Sequence, residues 1–319
     1  MARVARLLAP ALAALALPLL AASCGDTFAP ASEISSLRVL AVQKSAPYAK
    51  PGAKVRMSML LADGSAARTR PVEITWLGGC VNPSGDLYYG CFQQLSATLS
   101  GLASGTPDPA TAKLIGRGPT FSVDVPSDII TSRPTLEGQT PYGLIYLFFA
   151  ACAGHLGPAP AGAAGLPIGC FDDAGRPLGA DDFVPGYSAI YAYDGRTNAN
   201  PEVGDLLVDG KAMTGEVVHV PSADHTLTPL VARSSAEADP GAAAPDGTPL
   251  GEQLWLDWYV DSGSVSHSLR LVNDAQKGWN DDLDTVWTPG APGLAHLWVV
   301  VHDNRGGTAW RERRVVVDP

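Results

Sequence analysis

Oxygen-bearing side chains cluster at three places in this sequence. Asp172-Asp173 and Asp181-Asp182 bracket a turn in FDDAGRPLGADDF, and Asp281, Asp282 and Asp284 fall together in WNDDLD. Asp194, Asn198, Asn200 and Glu202 lie in and beside the segment GRTNANP. Calcium takes roughly six to eight oxygen ligands from adaptable loops, so these turns are candidate calcium sites. The 172–182 turn and the 194–202 segment are the rival locations. The alternative is that Asp and Asn serve their own backbone, since their side chains close turns by local hydrogen bonds. No other cofactor is indicated.

Six histidines are scattered through the chain. His296 and His302 lie an even six residues apart and so share a strand face, but about 20 Å of strand separates them, too far for one metal. Hydrogen-bonded or solvent-facing histidines are the expectation. The sequence contains no HExxH, GxSxG, SxxK or phosphate-loop pattern, which leaves no catalytic signature to assign. Aromatic residues offer a different chemistry, because an exposed ring stacks on the face of a sugar. Tyr88-Tyr89, Trp255, Tyr259 and Trp310 are the candidates. Trp255 and Trp258 point to opposite faces of any continuous strand. One therefore belongs to a core, while the other is a ligand platform or part of a packing seam.

Beyond Cys24 the chain has four cysteines, Cys80, Cys91, Cys152 and Cys170. An even set suggests disulfides in an exported protein. Three pairings are open. Joining neighbours closes the loops 80–91 and 152–170, each worth about 3 kcal/mol on the chain-entropy model. No CxxC spacing supports zinc.

The elements that must carry these groups read as all-β. Gly (34 residues) and Pro (27) are abundant, and both favour turns over helices. Strand-like runs occur at Leu37–Val42, Lys54–Leu61, Val72–Leu77, Phe121–Val125, Tyr142–Cys152 and Ala189–Tyr193. Further runs follow at Asp205–Asp209, Val217–Val220, Thr226–Arg233, Glu252–Val260, Val286–Gly290, His296–His302 and Thr308–Val317. Short strands separated by turns predict β-sandwiches. The pattern restarts after GRTNANP, giving one domain over 37–197 and a second over 198–319, with Trp76 and Trp258 as matching core residues. Gly157–Pro167 and Ala238–Gly251 read as long loops poor in large apolar residues. The net charge of −10 argues against a nucleic-acid partner.

The N-terminus supplies an address. Arg3 and Arg6 precede an apolar run from Leu7 to Leu20, then Ala21-Ala22-Ser23 lead into Cys24. A basic start, a short apolar stretch and a small-residue site describe a secretory signal peptide over 1–23. Leu20-Ala21-Ala22-Ser23-Cys24 resembles the lipobox of bacterial lipoproteins, with Ala21 where that family favours leucine. The resemblance implies lipid (palmitate among its acyl chains) on Cys24, a lipidated flexible stem over 24–36, and, through Gly25, passage to the outer membrane. The Trp-bearing strands and the terminal LWVVVHDNRGGTAWRERRVVV resemble immunoglobulin-like and polycystic-kidney-disease-like modules of bacterial surface proteins. Asn198-Ala199-Asn200-Pro201 is similar to the calcium linkers between cadherin domains, without their central aspartates. The expectation is a non-catalytic, membrane-tethered envelope protein that binds a protein or glycan partner. The alternative is an enzyme or enzyme accessory acting on extracellular polymers.

Overall fold

The computed structural model describes residues 29–65, 70–95, 98, 109–135, 137–159 and 168–319. The expected signal peptide and Cys24 lie outside the described residues. Ten strands occupy the first half: β1 (Leu37–Lys44), β2 (Tyr48–Ala49), β3 (Lys54–Asp63), β4 (Glu73–Val81) and β5 (Ile115–Arg117) come first. β6 (Thr120–Asp124), β7 (Gly143–Cys152), β8 (His155–Pro158), β9 (Ile168–Phe171) and β10 (Phe183–Ala192) follow. A three-stranded sheet, β1-β3-β6, faces a five-stranded sheet, β2-β10-β7-β4-β5. Leu37, Val55 and Met57 from one sheet pack against Trp76, Ile145, Leu147 and Ile190 from the other. Along β4 burial alternates residue by residue, the two-residue period of a strand with one face on a core. Trp76 is fully buried, its ring edge-on to Phe149 at 5.6 Å and its indole N–H donating to Gly118 O.

The second half repeats the arrangement. Its strands begin with β11 (Val203–Val208), β12 (Lys211–Ala212), β13 (Val217–Val220), β14 (His225–Val231), β15 (Ala238–Ala243) and β16 (Pro249–Gly251). β17 (Leu254–Val260), β18 (Ser264–Val265), β19 (Leu269–Asp274) and β20 (Gly278–Trp279) continue it. β21 (Thr285–Thr288), β22 (Gly293–Asp303) and β23 (Thr308–Val317) complete it. The sheets are β12-β11-β14-β21-β18 and β13-β23-β22-β17-β19-β20. Leu206, Leu227 and Trp287 of the first meet Leu256, Trp258, Leu297 and Val299 of the second. Both halves are thus all-β sandwiches, and the segment 193–202 connects them. Among the described residues no helix is long and apolar enough to cross a membrane.

One stretch expected to be a loop, Ala238–Gly251, contains a hairpin, and the start of the other, Gly157–Pro158, belongs to β8. β8 pairs with β9 beside the Cys152–Cys170 disulfide, and β15 pairs with β16. Backbone pairing closes both hairpins, and a disulfide the first, with little apolar burial, so large apolar residues do not mark them.

Ser32–Pro319 is one compact unit, because the sandwiches share an apolar seam. Ile34, Leu40, Ala41, Leu60 and Ala62 pack on Trp298 and Val300, with Tyr259 and Trp310 partly buried beside them. A β-bulge between Val39 and Ala41 shifts the register of β1 against β3. A bulge adds one residue and changes which face follows. Leu40 and Ala41 therefore both enter the seam, while Leu37, Val39 and Val42 stay with the first core. The far end of the expected flexible stem is fixed: Ser32 and Ile34 are buried, the Ile34 N–H donates to Val260 O, and the Val260 N–H donates to Ser32 O. Ile34 is the physical reason, since its side chain fills the seam.

Candidate functional site

Eight of the nine tyrosines lie on the first sandwich, and all eight, with Phe92 and Phe148, make ring contacts beside and across the five-stranded sheet. Strand geometry gathers them. In β7, Tyr146 and Phe148 share a face, and in β10 Tyr187 and Tyr191 do, opposite Phe148 and Leu144 respectively. The rings make two runs. Tyr48, Tyr193, Tyr142 and Tyr191 follow one another at centroid separations of 4.7, 5.9 and 5.8 Å. Tyr146 meets Tyr187 at 5.5 Å, and Tyr187 stacks on Tyr88 at 4.6 Å. Residues 82–95, which follow β4, pack against this face, held by the Cys80–Cys91 disulfide and by buried Leu95. The Gln94 side chain exchanges two 3.1 Å hydrogen bonds with the backbone of Val81.

At the outer end the rings are open to solvent. Tyr89 is 56% exposed, Tyr187 48%, Phe92 46%, Leu87 44% and Tyr88 39%. A cleft of about 570 Å³ lies alongside, lined by Asn82, Asp86, Arg133, Gln139, Thr140 and Tyr142 among others. The Tyr146 hydroxyl links the two, donating to Asp86 O at 2.9 Å. The walls of the cleft are tightly held. The Asn82 amide donates to Ile129 O at 2.7 Å and accepts the Leu144 N–H at 2.9 Å. Asn82 and Asp86 both adopt positive φ, at 46° and 58°. Asn and Asp tolerate this region better than other side-chain-bearing residues. The Arg133 guanidinium pairs with Asp86, donates to the Tyr142 hydroxyl at 2.8 Å and lies over the Tyr142 ring at 4.0 Å. Arg133 holds the Asp86 carboxyl below the usual carboxylate range, with the Tyr142 hydroxyl adding to the effect. Burial, with Asp86 adding, pushes the Tyr142 phenol up to about 12. The cleft's two charges cancel within it.

A second polar cluster occupies the junction between the sandwiches. Asp303 Oδ1 accepts the backbone N–H groups of Arg305 (2.8 Å) and Gly307 (2.7 Å), and Oδ2 accepts from the Asn198 amide at 3.1 Å. A Cβ on Gly307 would lie 1.9 Å from Asp303 Oδ2, so only glycine fits this cradle. Arg305 donates to Glu252 Oε1 and Glu237 Oε2, each at 2.8 Å, and its guanidinium sits 5.9 Å from the Tyr48 ring. Lys44 from β1 is buried and donates to Ala189 O at 3.1 Å. Burial pulls the Lys44 ammonium down to about 8, partly offset by Asp303. Burial raises the Glu252 carboxyl to about 7 despite Arg305, with Asp303 and Glu237 pushing the same way.

The oxygen-rich segments are engaged within the chain. Asp172 accepts from the Arg176 side chain and from the backbone N–H groups of Ala174 and Arg176. Asp173 meets His155 at 2.9 Å, and Asp182 pairs with Arg70 at 2.6 Å. The carbonyl of Asp181 accepts the Leu37 N–H. The side chains of Asp194, Asn198, Asn200 and Glu202 do not converge. Asp194 is exposed, Asn198 serves Asp303, Asn200 bonds Lys44 O and the Thr308 N–H, and Glu202 contributes backbone bonds to Ser235 and Ala232. Among the described residues no group of three or more His, Cys, Asp or Glu is placed to hold a metal ion. Every histidine hydrogen-bonds to a side chain: Asp173, Asp318, Asp209, Ser266, Asp261 and Thr308 serve His155, His219, His225, His267, His296 and His302.

The aromatic candidates separate by location. Trp258 is fully buried, and Trp255 stacks on His302 at 5.4 Å. Tyr259 and Trp310 belong to the seam, leaving Tyr88 and Tyr89 as the exposed pair. Sequence reasoning missed Phe92, Tyr187 and the cleft. The even spacing of aromatics within Tyr142–Phe148 and Tyr187–Tyr193 was the available signal.

No protein-family model matches this chain, and no curated protein does. Solved structures resemble it only at low similarity. An engineered protein aligns at 15% identity and TM-score 0.21, over 39% of this chain and 22% of its own length. The fibronectin(III)-like modules of Clostridium thermocellum CbhA align at 11% identity and TM-score 0.22, over 87% of this chain and 94% of theirs. The D0-D1 domain of intimin gives 11% identity and TM-score 0.22, over 88% and 99%. At such scores the architecture rests on the sheets described above.

Proposed function

We propose that this chain is a non-catalytic interaction protein of the bacterial cell envelope, tethered by lipid at Cys24 and presenting its tyrosine face to a partner. The exposed ring cluster of Tyr88, Tyr89, Phe92 and Tyr187 carries this reading. Contiguous exposed apolar surface marks interaction sites, whereas single exposed apolar residues are ordinary. The disulfide, the seam and the junction hold that surface on a stiff support, and preorganisation lowers the cost of binding. Asp86 is paired with Arg133 and Tyr142, which suits it to shaping the cleft and not to accepting a proton in a reaction. The lipobox resemblance supports the tether and Gly25 supports the outer membrane.

A photoreactive phenylalanine analogue at position 89, irradiated in whole cells, tests the docking face. Specific adducts at 89, absent when the probe replaces exposed Lys211, are the expected result. Equal background at both positions would refute it. Protease shaving of cells carrying Cys24→Ala tests the tether: the variant is released from the membrane fraction, and retention would remove the lipid assignment.

A further inference from the structure

We infer that the tyrosine face and its adjoining cleft form one binding site for a neutral glycan chain. This rests on the docking face proposed above and names its ligand. The observation is the junction of two surfaces with complementary demands. Tyr88, Tyr89 and Tyr187 offer ring faces and edges in one exposed cluster, with Tyr187 stacked on Tyr88. The cleft beside them offers amides, hydroxyls and a closed ion pair from Asn82, Gln139, Thr140, Asp86 and Arg133. A pyranose has the same two kinds of surface. Its axial C–H groups make an apolar patch that packs on an aromatic ring, and its equatorial hydroxyls donate and accept around the rim.

Charge selects within the sugars. The one cation and one carboxylate lining the cleft neutralise each other, and the chain as a whole is acidic at −10. An anionic polymer would meet repulsion from that field, since Arg133 is closed by Asp86 and the cation at the rim, Arg196, already donates to the Thr140 hydroxyl at 2.9 Å. A purely apolar partner would leave the cleft's polar groups unpaired, at the cost of their desolvation. The volume of about 570 Å³ lies within the range of small-molecule sites, enough for a short saccharide segment with the remainder of the chain running over the rings.

The test is a glycan microarray spanning neutral, uronic-acid and sulfated glycans, probed with the exported protein and followed by calorimetry on the strongest neutral oligosaccharide. The expected result is retention on neutral glycans that changes little between roughly 50 and 500 mM salt. Tyr89→Ala weakens binding by about tenfold or more, whereas Tyr89→Phe keeps it, because the ring face and not the hydroxyl makes the contact. Tyr89 is exposed, so the variant should melt with the parent chain. Gln139→Ala tests the cleft independently. Binding confined to acidic or sulfated glycans, or Tyr89→Ala binding as the parent does, would overturn the proposal. So would photo-adducts at position 89 that contain only protein, an outcome that leaves the docking face standing and removes the glycan. Absence of both glycan binding and adducts would remove both.

Discussion

Replacing Glu252 by glutamine should stabilise this protein at alkaline pH, although it removes one half of a buried ion pair. Glu252 is fully buried, Oε1 accepts from Arg305, and Oε2 has no hydrogen-bond partner. Burial disfavours the carboxylate, and the negative charges of Asp303 and Glu237 add to it against Arg305, so the folded state favours the protonated acid and its carboxyl rises from 4.5 to about 7. A raised pKa means that the folded chain binds more protons than the unfolded one between these values. Glu252 therefore favours folding fully below pH 4.5, and this contribution is lost as pH rises through 7. The displacement is worth about 3 kcal/mol, at roughly 1.4 kcal/mol for each tenfold. Glutamine mimics the protonated acid, retains an acceptor for Arg305 and cannot ionise. Denaturant titrations of E252Q and the parent should nearly coincide at pH 4. By pH 8 the variant should lead by about 3 kcal/mol, or on the order of 5–10 °C in Tm. A variant less stable than the parent at pH 8 would refute the reasoning, since it would mean that the ion pair outweighs burial.

Trp298→Ala empties the centre of the seam, where the side chain is 4% exposed, and should cost about 3–5 kcal/mol. Both sandwich cores remain in that variant, so new protease cleavage should fall in 193–202 while near-ultraviolet dichroism from Trp76 and Trp258 persists; uniform unfolding would contradict the separation of seam and cores. Chelation with EDTA should leave the melting temperature unchanged, because the carboxylates of Asp172, Asp173 and Asp182 already bond Arg176, His155 and Arg70. A drop reversed by added calcium would contradict that assignment.

Strands with one apolar face were legible from the sequence, because alternation is a local property: LRVLAV, VEITWL and EQLWLDWYV each lie in or around a strand. The seam was harder to read. HLWVVVH is apolar on both faces, a mark of a strand covered on two sides, but nothing local says that the second cover comes from β1. The bulge in β1 hides the other half by reversing which of its residues face outward. The candidate site was partly legible. Tyr88 and Tyr89 adjoin in sequence, whereas Tyr187 reaches Tyr88 only through the pairing of β10 with β7 and the fold-over of the loop closed by Cys80 and Cys91. The oxygen-rich turns were ambiguous in the sequence, since Asp and Asn serve local backbone and arginine partners as readily as metals.

The seam also orders events as the chain emerges from N-terminus to C-terminus. Ile34, Leu40 and Leu60 are among the first apolar residues of the described chain, yet their cover, Trp298 and Val300, comes more than two hundred positions later. Contacts so distant in sequence form slowly because a long loop must close first. Until β22 arrives, an otherwise complete first sandwich shows a sticky flank to its surroundings, and transiently exposed apolar surface invites aggregation. A holdase chaperone therefore has a defined window in which to act, which opens when β3 has paired with β1 and closes when the last hairpin docks.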